Sequence, residues 1–124
     1  AKKSSNKFKK NMIQILHNAR CGKSRDCLAF LTESGKEFEV IKYLETVPTF
    51  EELKEIISKL GIKPIDLVRK KEPIWLENFK NKTLSDTEVI EAMIANPILI
   101  ERPIVINGEK AVIARPLENA KSIL

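Results

Sequence analysis

Glycine, cysteine and histidine are scarce in this chain. Its 124 residues hold four glycines, two cysteines and one histidine. Four glycines leave no glycine-rich loop for nucleotide phosphates, and one histidine with two cysteines cannot build a zinc cluster. No bound metal or organic cofactor is therefore expected. No apolar run approaches the roughly 20 residues that cross a bilayer, and the polar amino-terminal stretch lacks the apolar centre of a secretory signal. A cytoplasmic protein without a membrane partner is the expectation. Cys21 and Cys27 are too few for a disulfide scaffold and read as catalytic or buried thiols.

What is present is ordinary for a globular chain: 43% hydrophobic and 31% charged residues, enough for one domain with a real core. The formal net charge of +5 is unevenly placed. Residues 1–11 carry Lys2, Lys3, Lys7, Lys9 and Lys10 and no acid, while the remainder is balanced between basic and acidic side chains. The excess therefore belongs to a tail, expected to be a disordered, solvated extension. A basic face for nucleic acid is not supported. Met12, just before the first apolar run, marks an alternative start, and residues 12–124 are expected to form a single domain.

Residues 12–16 read as a short buried strand, followed by a polar turn from His17 to Gly22. Over 22–34, Cys27, Leu28, Phe30 and Leu31 recur at helical spacing, and Gly35 ends that helix. Residues 37–44 alternate and suit a second strand. Thr49 with Glu52 forms a capping box for a helix over 50–60, closed by Gly61. Pro64 opens a short helical piece through Val68, and 74–79 is another. Ser85 with Glu88 caps a helix running to about Ala95, which Pro97 stops. Ile104 to Ile106 and Ala111 to Ile113, joined through Asn107-Gly108, read as a hairpin. Pro116 opens a final helix over 116–123. The expected fold is a mixed α/β sheet with flanking helices, the first two strands parallel through a right-handed crossover. That pattern belongs to the thioredoxin-like class.

Cys21 falls where a strand has ended and a helix begins. Free N–H groups and the positive dipole end favour a thiolate there, and the same N–H groups bind oxyanions. Arg20 and Arg25 add positive charge, and Cys21, Ser24 and Arg25 share one helix face. Ser24 is placed to donate a hydrogen bond to the sulfur or to an anion oxygen. His17, if protonated, would stabilise the thiolate; alternatively it hydrogen-bonds the loop backbone. Cys27 is no resolving thiol: six residues along a helix rise about 9 Å, beyond the ~4.4–6.8 Å a disulfide allows between Cα atoms. It shares a stripe with Phe30 and Leu31 and reads as core.

The chain has five arginines, Arg20, Arg25, Arg69, Arg102 and Arg115. Arginine grips tetrahedral anions better than lysine, through its planar fork. Arg102 and Arg115 each precede a proline, which stiffens the backbone presenting them. They stand at the entrance and exit of the expected hairpin and could meet on one edge. Taken singly, each reads better as a surface ion-pair partner; taken together with Cys21, that reading loses ground.

The segment Ile15-Leu16-His17-Asn18-Ala19-Arg20-Cys21-Gly22-Lys23-Ser24-Arg25 resembles the His-Asn-Pro-x-Cys-Gly-x-Ser-Arg loop of glutaredoxin-coupled arsenate reductases. The likeness continues through 41–46, Pro48-Thr49, 67–70, 97–100, 102–105 and Arg115-Pro116. It implies a thioredoxin-like fold with a helical insertion between the second and third strands. It implies Cys21 as nucleophile, His17 as its activator, Ser24, Arg25 and Gly22 in the active loop, and Arg69, Arg102 and Arg115 around the anion. It also implies a cis Pro103, arsenate as substrate, glutathione as co-substrate, glutaredoxin as partner, and a monomer. Position 19 is alanine where the family pattern has proline, so a less rigid loop is expected. Spx-type regulators of RNA polymerase share this fold, but those with a redox switch carry Cys-x-x-Cys, and here position 24 is serine. A relative acting on another thiol or oxyanion is the other alternative.

Overall fold

The protein was analysed as a computed structural model that describes residues 12–124; the tail expected over 1–11 lies outside the described residues. Strand β1 (Ile13–Leu16) is apolar apart from Gln14, and helix α1 (Gly22–Glu33) carries it over to β2 (Phe38–Ile41). The two strands are parallel, with Ile13 opposite Phe38 and Leu16 opposite Ile41. After the helical segment come β3 (Ile104–Asn107) and β4 (Lys110–Ile113), an antiparallel pair, and the sheet order is β2-β1-β3-β4. A thioredoxin-like mixed sheet with flanking helices is thus the architecture, as the sequence predicts. The inserted segment holds α2 (Phe50–Leu60), α3 (Pro73–Asn78) and α4 (Asp86–Ala95), with single 3-10 turns at Pro64–Leu67 and Pro97–Leu99.

The chain divides into two compact units, residues 12–42 with 102–124, and Tyr43–Glu101. In the first unit, Ile15 and Val105 from the sheet meet Cys27 and Leu31 from α1, with Ala114 and Ala120 completing the buried cluster. Burying such side chains contributes roughly 1.5–3 kcal/mol for each large aliphatic group. In the second unit, α2 exposes one face and buries Leu53, Ile56 and Ile57, while α4 buries Val89, Ile90 and Met93. Both capping boxes are formed: the Thr49 hydroxyl accepts from the Glu52 amide, and the Ser85 hydroxyl accepts from the Glu88 amide. Gly61 closes α2 in the left-handed conformation, φ 70°.

Three local expectations shift. The second strand ends at Ile41, three residues short of the alternating stretch, because residue 42 onward leaves the ladder. The hairpin turn is Gly108-Glu109, since Asn107 still pairs with Lys110. Gly108 alone takes positive φ, 64°, the pattern of a II′ turn, which needs glycine at its first central position. The last helix is a 3-10 helix over Leu117–Ile123, and Pro116 precedes it as cap. The Arg102–Pro103 peptide is cis, as the resemblance implies, and so is Arg115–Pro116.

Candidate active site

Strand directions assemble the site. β1 and β3 are antiparallel with Leu16 opposite Ile104, so the loop leaving β1 starts beside the residues that enter β3. β4 runs back along β3 and ends at Ile113 opposite Ile104, so its exit lies at the same edge. The Ala114 amide donates to the Pro103 carbonyl at 2.9 Å, and the His17 amide donates to the Ile41 carbonyl at 2.9 Å. Residues 17–21, 41–42, 102–103 and 114–115 thus converge at one end of the sheet.

Cys21 occupies the cap position of α1 with extended backbone (φ −95°, ψ 122°) and is buried. Helices α2 and α4 place acidic residues in their first turns, whereas α1 has none there. Its positive end is left to the sulfur. No amide reaches the sulfur with full capping geometry, yet the N–H groups of Ser24 and Lys23 both face it. Burial works against ionisation of Cys21; the Ser24 amide, the Arg102 guanidinium and the Lys23 amide outweigh it, and the thiol is held below its ordinary value of 9.0. Arg115 adds a second guanidinium, its Nη2 lying 3.6 Å from Cys21 Sγ. Arg115 Nε donates to the Arg102 carbonyl at 2.8 Å, which fixes the fork toward the sulfur. The two arginines that precede prolines do meet on one edge.

Ser24 takes a different part from the one its spacing suggests. Its hydroxyl lies 2.7 Å from His17 Nδ1 and accepts the Asn18 amide at 3.0 Å. The hydroxyl therefore ties the loop together, and only the backbone N–H serves the sulfur. His17 is buried and its pKa is lowered, chiefly by desolvation and then by the Lys42 charge; the bond to Ser24 works the other way, and Arg25 adds a smaller lowering. A neutral imidazole bonded to Ser24 replaces the protonated partner of the thiolate considered from sequence.

Arg25, expected at the substrate, donates from Nη1 to the Ala19 carbonyl at 2.9 Å. It thereby clamps the position where the loop lacks proline. Gly22 opens α1; a Cβ there would meet only Arg25 Nη2 at 3.8 Å, an ordinary contact, so packing does not demand glycine. Sequence reasoning assigned no role to Asn18. It is buried, its Oδ1 accepts the Arg20 amide at 3.0 Å, and its carbonyl accepts the Cys21 amide at 2.9 Å. Only its polar type between His17 and the turn signalled this. The Asn18, Arg20 and Cys21 amides are thus already bonded within the loop, while the Lys23 and Ser24 amides face the sulfur.

Arg69 belongs to the second unit. Its Nε bonds Glu72 at 3.1 Å and its Nη1 bonds Glu101 at 2.9 Å. Burial works against its charge, and the two carboxylates more than offset that and raise its pKa. Of the three arginines expected around an anion, two are therefore seen at the thiol and the third is seen paired with acids. Cys27 is fully buried, its thiol pushed up to about 11 by desolvation, and both cysteines are free thiols. Among the described residues no cluster of histidine, cysteine and acidic side chains could hold a metal, and no helix is long and apolar enough to cross a membrane.

Sheet order, a thiol at the start of the first helix and two guanidinium groups beside it define a thioredoxin-like protein with a thiol held toward its ionised form. Comparison with known proteins narrows the class. The profile of the ArsC family matches residues 16–123, and the chain belongs to that family. It is 42% identical over 114 residues to an arsenate reductase of Neisseria meningitidis, covering 90% of this chain and 97% of the relative. An arsenate reductase of Escherichia coli is 40% identical over 113 residues, covering 90% and 80%. The solved arsenate reductase of Vibrio cholerae superposes with a TM-score of 0.87 at 42% identity, covering 94% of this chain and all of that one.

Proposed function

We propose that this protein reduces arsenate to arsenite through a covalent adduct on Cys21. The observation that carries the reading is the sulfur itself. It is held toward its ionised form at the start of α1, with the Arg102 and Arg115 guanidinium groups beside it. Arsenate would lie between these groups, its charge offset by both forks and by the α1 terminus. The thiolate would attack arsenic and expel one oxygen as hydroxide, giving a sulfur–arsenic bond with arsenic still pentavalent. Charge building on the arsenate oxygens in that step would fall on donors already in place.

Reduction of arsenic needs two electrons. Cys27 does not supply them, being buried in the core with its thiol pushed up to about 11. Two external thiols would: one arsenate and two thiols give one arsenite, one disulfide and one water. The resemblance points to glutathione as that thiol and to glutaredoxin as the partner, in the cytoplasm and with the chain monomeric. The names of the relatives support the substrate. The test is turnover with arsenate, glutathione and glutaredoxin. Activity is expected from the wild type and none from Cys21→Ala; equal rates in the two would overturn the reading.

A further inference from the structure

Residues 18–21 close a turn that delivers Cys21 to the start of α1: the Cys21 amide donates to the Asn18 carbonyl at 2.9 Å. Ala19 and Arg20 are its central residues. Among the described residues only glycines take positive φ, which excludes a type II turn, since that type needs positive φ at its second central residue. Side chains hold both ends of the central peptide. The Arg20 amide donates to Asn18 Oδ1 at 3.0 Å, and the Ala19 carbonyl accepts from Arg25 Nη1 at 2.9 Å. Asn18 is buried and fixes its end from inside the loop; Arg25 is exposed and holds the other end from the surface.

Arg25 spans the thiol. Its own amide donates to the Cys21 carbonyl at 3.0 Å, while its guanidinium reaches back past Gly22 to a residue two places before the sulfur. That guanidinium makes no ion pair with other described residues. The groups that hold the thiol low are the Ser24 amide, Arg102 and the Lys23 amide. Arg25 is linked to the sulfur through the loop backbone instead. We propose that Arg25 is a positioning residue, which pins the Ala19 carbonyl so that the turn delivers the Cys21 sulfur to the Lys23 and Ser24 amides. It does from outside what a proline at position 19 does by locking φ. The consequence for arsenate rests on the reductase reading; the consequence for the thiol does not.

The full chain is compared as wild type, Arg25→Ala and Arg25→Ala/Ala19→Pro. The Ala19 amide makes no hydrogen bond among the described residues, and proline is favoured at the first central position of a type I turn. Proline therefore fits there without losing a bond, and it adds no charge. Two quantities are read: the pH midpoint of Cys21 alkylation by iodoacetamide, and the arsenate concentration that half-protects the thiol. In Arg25→Ala the midpoint should rise by about one pH unit, roughly tenfold less thiolate at neutral pH. The half-protecting concentration should rise about tenfold, the loss of one charge-assisted hydrogen bond. Ala19→Pro should bring both back to within about threefold of the wild type, because it restricts the same turn. An unmoved midpoint in Arg25→Ala would overturn the assignment. So would a moved midpoint that proline does not restore, since Arg25 would then act by its charge alone. Wild-type alkylation that arsenate does not slow would remove the reductase reading, and the midpoints by themselves would uphold or overturn the positioning role.

Discussion

Replacing Ser24 by alanine isolates the hydroxyl that ties the active loop together. Ser24 has no exposed surface, and its partners His17 and Asn18 are 5% and 6% exposed. The hydroxyl accepts the Asn18 amide at 3.0 Å and bonds His17 Nδ1 at 2.7 Å. Alanine removes both bonds and leaves two buried polar groups without that partner. Each orphaned group costs about 1–3 kcal/mol, so Ser24→Ala, which orphans two, should lose about 2–6 kcal/mol of stability. The backbone N–H that faces Cys21 survives the substitution. Reactivity of the thiol toward an alkylating reagent should therefore fall by less than about tenfold, the equivalent of 1.4 kcal/mol. Urea unfolding measures the first quantity and the pH dependence of alkylation the second. A loss below about 0.5 kcal/mol, the range of ordinary surface substitutions, would show that the hydroxyl does not hold the loop. A collapse of thiol reactivity in a variant that stays folded would show that the hydroxyl, and not the amide, serves the sulfur.

Other perturbations test separate parts of the site. The pKa of His17 is lowered from 6.5, so below about pH 6.5 the unfolded chain takes up a proton that the folded chain refuses. Stability contributed by this group is complete above that pH and declines below it, by at most ~1.4 kcal/mol per pH unit; His17→Gln should flatten the decline in urea titrations, and an unchanged slope would count against a buried neutral imidazole. Iodoacetamide near neutral pH should label Cys21 and spare Cys27, whose thiol is buried and pushed up to about 11; mass spectra showing comparable labelling of both would contradict the packing. Arg115→Lys keeps the charge but cannot both hold the Arg102 carbonyl and reach the sulfur as the guanidinium does. The KM for arsenate should rise about tenfold or more with the melting temperature little changed.

Short-range signals settled the parts of this protein whose causes lie within a few residues. Thr49 with Glu52, Ser85 with Glu88 and Gly61 are legible as helix ends because each bond closes over three or four residues. Cys27 is legible as core because it repeats with Leu31 on one face of α1. Cys21 is legible as a helix-start thiol for the same local reason. Tertiary structure alone decided which groups the loop side chains answer to. Ser24 and Arg25 share a face with Cys21, yet the Ser24 hydroxyl goes to His17 and Asn18, and Arg25 goes to the Ala19 carbonyl. Those partners depend on how the loop doubles back after β1, which no residue spacing encodes. Arg102 and Arg115 reach the sulfur from some eighty and ninety residues away because the ladders set Leu16 opposite Ile104 and Ile104 opposite Ile113. Strand register, fixed by burial of both sheet faces at once, is a property of the assembled sheet and of no single segment.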